Sequence, residues 1–325
     1  MPAPATLARE ARPTRRASSF VDRVLKGDEL TYLVTAGCAL SIVLITSMLF
    51  YELFAKSALA RHKFGWHFLF SSTWDPVAGQ FGALPFIYGT VVTSALALLI
   101  AVPIGVGAAI FLAELAPPRI SDFFTFLIEL LAAVPSVIYG LLAIFILVPV
   151  LRVIEPGLRA ALGFLPIFQG AFYGVSLFSA GIILAIMVVP FIISVSREIL
   201  LAVPPDQREA ALALGATTWE ATWQAVVPFA RKGITGSIFL ALARALGETM
   251  AVTMVIGNDP KIHASLLAPG YSIAAIIANE FPDPTTDLHL SALTELGLVL
   301  FALTFIINGL ALMLVASTSG KVAPQ

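Results

Sequence analysis

The chain has 325 residues, of which 58% are hydrophobic and only 12% are charged, and its formal net charge is -1. Soluble domains carry about 25% charged residues, so this composition excludes an ordinary soluble protein. The near-zero net charge says nothing about binding partners, because the charged residues are concentrated between long apolar runs. We therefore interpret the chain as an integral membrane protein.

The chain begins with a basic leader, predicted over residues 1–30, which precedes a first apolar span over residues 31–54. This order resembles a signal sequence, but the span is longer than a signal h-region and no small-residue cleavage site follows it. We therefore predict a retained transmembrane helix. The single cysteine, Cys38, lies inside this helix and cannot form an intrachain disulfide.

A membrane-spanning helix needs about 20 mainly apolar residues, and six segments of the chain meet this requirement. The predicted spans are residues 31–54, 85–113, 124–151, 175–197, 229–258 and 294–316. Six spans place both termini on the same side of the membrane. Most of the 19 Lys and Arg residues lie in the segments on that side. Because short basic loops stay in the cytoplasm, both termini are predicted to be cytoplasmic.

The third span contains the sequence "VPSVIYG". Pro135 and Gly140 would kink this helix, and Ser136 and Tyr139 would then place a hydroxyl and a phenol near a cavity. Residues of this kind more often serve only packing. Both interpretations stay open at this point.

Residues 199–228 form a loop with helical signals of its own. Pro205 suits a first helical turn, and Gly215 suits a left-handed helix end. Thr217 and Glu220 have the spacing of a capping box for a second helix, which Pro228 is predicted to close. A plain amphipathic connector lying on the membrane would share this composition.

Two charges, Arg244 and Glu248, interrupt the apolar fifth span in "SIFLALARALGETMAV". A charge at a helix centre costs about 2.5 to 3.5 kcal/mol on insertion scales, so such residues usually face a partner or a wet cavity. The two residues are i and i+4, hence on one helix face, and could simply neutralise each other. Alternatively, the planar guanidinium of Arg244 binds an anionic substrate, and Glu248 orients it.

The segment "HASLLAPGYSIAAIIAN" lies in the long loop over residues 259–293. Pro269 and Gly270 interrupt it, so it is too broken to cross the membrane. We predict a short surface or re-entrant helix that covers the outer mouth.

The loop sequence "EAALALGATTWEATWQAVVP" resembles the signature of ABC importer permeases, whose matching loop docks into a separate ATPase subunit. The matching residues are Glu209, Ala210, Ala211, Gly215 and Pro228. Three further stretches look like the PstC permease family of the phosphate-specific ABC transporter. They are "AAVPSVIYGLLAIFILVP", "RALGETMAVTMVIGN", and "SIAAIIANEF" with the later "LHLSALTELGLVLF".

This resemblance implies an all-α protein of the bacterial inner membrane with the type I ABC importer permease fold. Its six transmembrane helices would carry a cytoplasmic coupling helix between helices four and five, and the permease domain would cover residues 85–316. It further implies import of inorganic phosphate along a path that includes Arg244 and Glu248, to which we add Ser136 and Tyr139. The implied partners are a PstA-like permease, a PstB-like ATPase dimer and a PstS-like outer phosphate-binding protein, besides membrane lipid.

The sequence does not carry a G-x-x-x-x-G-K-[ST] loop, since its one Gly-Lys pair, Gly320 and Lys321, precedes Val322. We therefore expect a transport subunit that is not itself an ATPase, with no catalytic residues, cofactor, metal or nucleic-acid partner. Three alternatives stay open. They are an ion-coupled secondary anion carrier, an ABC permease for another oxyanion, and a membrane assembly or sensory subunit.

Overall fold

A computed structural model of the chain describes residues 28–170 and 172–317, and almost all of them are helical or in turns. Residues 1–27 of the predicted leader, which we placed over residues 1–30, lie outside the described part. The α-helices are α1 Asp28–Lys56, α2 Ala58–Phe64, α3 His67–Phe70, α4 Leu84–Ile110, α5 Pro118–Ala132, α6 Ser136–Leu142, α7 Val148–Leu162, α8 Leu177–Leu201, α9 Pro205–Ala213, α10 Thr218–Ala221, α11 Val227–Leu246, α12 Met250–Thr253, α13 Ile273–Glu280 and α14 Asp287–Ser317. Wider π-helical turns extend α4 over Phe111–Leu115, join α6 to α7 over Ala143–Leu147 and join α10 to α11 over Thr222–Val226.

Six helical segments of the described residues are long and apolar enough to cross a membrane, which confirms the predicted number. They are Thr31–Lys56, Leu84–Leu115, Ser136–Leu162, Leu177–Leu201, Thr218–Leu246 and Asp287–Leu310. The chain divides into two compact units, residues 1–52 and 53–325. The described part of the first unit is the N-terminal portion of α1, and the second unit contains all the other helices.

The second and fourth spans, α4 and α8, form the closest helix pair of the second unit. A side chain at Gly105 would come within 2.7 Å of Ile192, and Ala97 and Ala101 are fully buried. Small residues let two helices approach closely. Within a bilayer the hydrophobic effect does not favour helix association, so this close packing is a main source of attraction. This tight pair is the frame around which the other spans pack.

The third span differs from the predicted segment 124–151. A break over residues 133–135 separates α5 from α6, and the apolar helix long enough to span runs over Ser136–Leu162. Pro135 causes this break, because it lacks an N–H donor and disfavours the helical conformation of the preceding residue. The predicted kink is therefore a complete interruption of the helix.

The fifth span differs from the predicted segment 229–258 at both ends. It begins at Thr218, because Pro228 does not close a separate helix. A π-turn precedes Pro228, in which the Val227 N–H donates to the Thr222 carbonyl, and the chain stays helical through it. At the other end α11 stops at Leu246, twelve residues before the predicted end.

The sixth span starts before residue 294, where we predicted its beginning. Helix α14 begins at Asp287, and the hydroxyl of Thr286 accepts a hydrogen bond from the His289 N–H at 3.1 Å. A threonine cap and an acidic first residue both stabilise a helix start, so the helix extends into the polar segment ahead of the apolar one.

Candidate functional site

The fifth span is interrupted where its two charged residues lie. Helix α11 ends at Leu246, Gly247 follows, and a four-residue helix, α12, resumes at Met250. The Glu248 carboxylate accepts a hydrogen bond from the Ala251 N–H at 3.2 Å. This carboxylate therefore acts as the acceptor for the first turn of α12, a role that a helix N-terminus favours for a negative charge.

Arg244 lies in the last turn of α11 and is exposed in the single chain. Its guanidinium carbon lies 5.9 Å from the centre of the Phe191 ring, within the range of a cation–π contact. Within the described residues, Arg244 and Glu248 form no ion pair, so mutual neutralisation on one helix face is contradicted. The reason is the break at Gly247, since the i to i+4 relation holds only in a continuous helix.

The motif in the third span packs directly against the broken fifth span. A side chain at Gly140 would overlap the sulfur of Met254 and come within 3.3 Å of Cα of Ala251. Tyr139 is 6% exposed, and its hydroxyl donates a hydrogen bond to the Leu131 carbonyl at 2.7 Å. Helix α6 therefore approaches α12 closely at Gly140.

The four predicted path residues lie on α6 or beside the break between α11 and α12. Arg244 lies in the last turn of α11, just before the break, and Glu248 accepts a hydrogen bond from α12, the helix against which Gly140 packs. Ser136 is the first residue of α6, about one turn before Tyr139, and is half-buried. The region combines a cation, hydroxyl groups and the free backbone ends of an interrupted helix, a combination that suits an anionic ligand.

The loop between the fourth and fifth spans has the predicted local structure. Helix α9 starts at Pro205, and Gly215 has φ +90°, the left-handed conformation expected of a helix end. Thr217 and Glu220 form the predicted capping box reciprocally. The turn chemistry of this segment was thus readable from the sequence alone.

The surface of this loop is exposed and partly apolar. Of the signature residues, Glu209 and Ala210 are exposed and Ala211 is half-buried. Leu214 is 91% exposed, and three other large apolar side chains of this segment are also exposed: Leu212, Trp219 and Trp223. An exposed apolar group of this kind marks a surface for contact with another protein or with the membrane.

One contact that the sequence did not reveal fastens this loop to the membrane helices. Arg208 of α9 donates two hydrogen bonds to the carboxylate of Glu114, at 2.6 Å and 2.9 Å. The same guanidinium donates to the carbonyls of Val203 and Leu200, at 2.7 Å and 2.8 Å. The hydrogen bond with Glu114 is the largest cause of the raised pKa of Arg208, with desolvation acting against it. The only signal in the sequence was an acidic residue at the end of an apolar run.

A second contact that the sequence did not reveal lies at the start of the sixth span. The carboxylate of Glu280 accepts a hydrogen bond from the Trp74 indole N–H at 3.1 Å and lies 2.9 Å from Nε2 of His289. The N–H of Thr285 donates to Nδ1 of His289, so Nε2 carries the proton and donates to Glu280. These contacts hold α13, the short helix expected in the loop over residues 259–293, against the start of α14.

Comparison with known proteins is consistent with this architecture. Residues 101–320 match the family described as "binding-protein-dependent transport system inner membrane component". A relative from Mesorhizobium japonicum, described as "Phosphate transport system permease protein PstC", is 44% identical over 93% of this chain and 94% of its own length. A relative of the same description from Haemophilus influenzae is 46% identical over 88% and 93%, respectively.

Two solved structures share the fold at 16% sequence identity. One is the MetNI methionine ABC transporter in an inward-facing conformation, with a TM-score of 0.53 over 75% of this chain and 99% of that chain. The other is a bacterial ABC transporter involved in import of the polysaccharide alginate, with a TM-score of 0.52 over 89% and 98%. The predicted all-α fold of a type I ABC importer permease is confirmed.

Proposed function

This chain belongs to the PstC family of phosphate transport system permeases, and we propose that it forms one half of a path for the import of inorganic phosphate. It is a multi-pass protein of the inner membrane. A PstA-like permease forms the other half, and a PstS-like outer binding protein delivers the substrate. A PstB-like ATPase dimer hydrolyses ATP, so the chain contributes no catalytic residue.

The observation that carries this proposal is the interruption of the fifth span beside Arg244. Interrupted helices are tolerated at membrane depth where they are buried in protein or line a cavity. The break keeps Glu248 at the start of α12 and leaves the Arg244 guanidinium exposed in the single chain. A guanidinium presents a planar fork of donors that matches two phosphate oxygens at once.

The neighbouring residues have supporting roles in this proposal. Tyr139 and Ser136 on α6 line the path next to the cation. Glu248 fixes the geometry of the break and offsets part of the positive charge, so that phosphate is bound weakly enough to be released. Movement of phosphate along the path therefore depends on the guanidinium of Arg244 and on the polar side chains around it.

The loop over residues 199–228 receives the force from the ATPase in this scheme. Glu209, Ala210 and Ala211 form the docking face, and Gly215 fixes the direction of the chain after it. The bidentate contact of Arg208 with Glu114 joins the docking helix to the end of the second span, so movement of α9 is passed to α4. This loop then lies in the cytoplasm, with both termini on the same side.

Reconstitution in liposomes with the three partner subunits tests the function. We expect ATP-driven uptake of phosphate that neither sulfate nor molybdate competes for, and no uptake by the chain alone under an ion gradient. Arg244→Gln should abolish uptake while the complex still assembles. The matched control is Arg231→Gln, which removes an exposed arginine from the same helix. Normal uptake by an assembled Arg244→Gln complex would refute the path, and ATP-independent uptake would indicate a secondary carrier.

A further inference from the structure

A cavity of about 860 Å³ lies at the opposite end of the second unit from α9, beside the first half of α14. Its walls are mostly apolar, apart from the imidazole of His62 and two charged side chains, Arg61 of α2 and Glu295 of α14. Neither residue takes part in the proposed phosphate path. The cavity is therefore a separate feature of the fold.

Both charged residues carry an atom that is buried without a hydrogen-bond partner among the described residues. These atoms are one terminal nitrogen (Nη1) of Arg61 and Oε2 of Glu295, whose residue is 5% exposed. A buried polar group left unpaired destabilises the protein, and more so when it is charged. The structure thus presents an unsatisfied donor and an unsatisfied acceptor on the walls of one cavity.

The remaining contacts of Arg61 hold its guanidinium in place. Nη2 donates to the Phe54 carbonyl at 2.8 Å, and the guanidinium carbon lies 3.5 Å from the centre of the Phe54 ring. Helix α2 is itself fastened to α14, since the Ser291 hydroxyl accepts from the Ala60 N–H at 3.1 Å and donates to the Lys56 carbonyl at 2.9 Å. The two charges are consequently fixed on one rigid wall.

The apolar part of the cavity follows α14 away from Glu295. Its residues are spaced by three and four positions, which places them on one face of the helix: Leu298, Val299, Ala302, Leu303 and Ile306. From Glu295 to Ile306 this face extends about 16 Å at 1.5 Å per residue. Its length and polarity suit a hydrocarbon chain that continues from a polar head.

We propose that this cavity binds one phospholipid with a zwitterionic, primary-amine headgroup, such as phosphatidylethanolamine. The ammonium group donates to Oε2 of Glu295, the phosphate accepts from Arg61, and an acyl chain lies along the apolar face of α14. The ammonium and the phosphate of this headgroup are separated by only two carbon atoms. One lipid molecule can therefore pair with both Oε2 of Glu295 and Nη1 of Arg61. An anionic lipid would pair only with Arg61. Its negative charge would then lie near the carboxylate of Glu295, which disfavours binding.

Native mass spectrometry of the purified full-length chain, titrated with single lipids, tests the proposal. We expect one dioleoyl-phosphatidylethanolamine to bind about tenfold more tightly than dioleoyl-phosphatidylglycerol, with phosphatidylcholine between them because its ammonium has no N–H. Glu295→Gln should remove the preference for the amine headgroup, and Arg61→Gln should weaken both phosphatidylethanolamine and phosphatidylglycerol. Matched controls are Glu129→Gln, an exposed acid on α5, and Lys63→Gln, two residues from Arg61.

A steric variant keeps the proposal testable if a charge variant does not fold. Ala302→Phe should reduce the binding of all three lipids without changing their order. Equal binding of phosphatidylethanolamine and phosphatidylglycerol by the unaltered chain would overturn the proposal, as would an unchanged preference in Glu295→Gln. Absence of the lipid from the complex assembled with the second permease would also overturn it and would indicate that a helix of that permease fills the cavity.

Discussion

Two combinations of an arginine with a glutamate in the described part of this chain differ, since one forms an ion pair while the other does not. Arg208 and Glu114 are 94 positions apart in sequence and form a bidentate contact at 2.6 Å and 2.9 Å. Arg244 and Glu248 are four positions apart, yet they make no ion pair within the described residues, because a helix break separates them. A spacing of four residues therefore does not by itself establish a charge pair, since Glu155 and Arg159 pair at 2.7 Å within α7 whereas a helix break lies between Arg244 and Glu248.

The long-range contact should contribute most to stability. Glu114→Ala leaves the Arg208 guanidinium without its carboxylate, and breaking such a buried contact should cost about 2 kcal/mol. Thermal unfolding in detergent measures this loss. The matched control is Glu198→Ala, since the Glu198 side chain is 70% exposed in its contact with Arg197 and should matter little. Equal destabilisation by the two substitutions would contradict the importance of the Glu114 contact.

The helix end at Gly215 should come next. Because Gly215 has φ +90°, Gly215→Ala forces a side chain into a left-handed conformation at a cost of about 1 to 2 kcal/mol. We expect weaker binding of the ATPase subunits and slower uptake, measured on the reconstituted transporter. Gly236→Ala is the control, since Gly236 lies inside α11 with open space around its Cα. Unchanged ATPase binding in Gly215→Ala would refute the role of this turn in docking.

The capping role of Glu248 predicts a difference between two substitutions. Glu248→Ala removes the acceptor of the Ala251 N–H and should cost about 1 kcal/mol, whereas Glu248→Gln keeps an acceptor oxygen and should cost less. Unfolding of both variants in detergent measures this difference. If the two variants are equally destabilised, the charge of Glu248 matters more than its hydrogen bond.

A double-mutant cycle makes the comparison quantitative. For Arg244→Gln with Glu248→Gln, the free energies of unfolding should add within about 0.5 kcal/mol, because residues that do not interact are additive. The equivalent cycle for Arg208 and Glu114 should show a coupling well above that value. A large coupling between Arg244 and Glu248 would show that they pair, and the interpretation of the break would then be wrong.

Much of the fold could be predicted because its signals are local. The apolar runs identified six spans, and Gly215 and the Thr217 to Glu220 box identified turns, since each depends on a few consecutive residues. Pro228 was wrongly predicted to end a helix. A π-turn precedes it, and the helix continues although Pro228 has no N–H to donate. The candidate path was predicted from the charges of the fifth span, but the helix break beside them was not.

The sequence by itself determined that the chain crosses the membrane six times and which family it resembles, because hydrophobic runs and motifs are properties of consecutive residues. The tertiary structure alone decided that Arg208 joins Glu114, that Gly140 of α6 packs on α12, and that Arg61 and Glu295 share a cavity. The physical reason is that hydrogen bonds and packing depend on distances between atoms. Residues far apart in sequence reach those distances only when the helices pack.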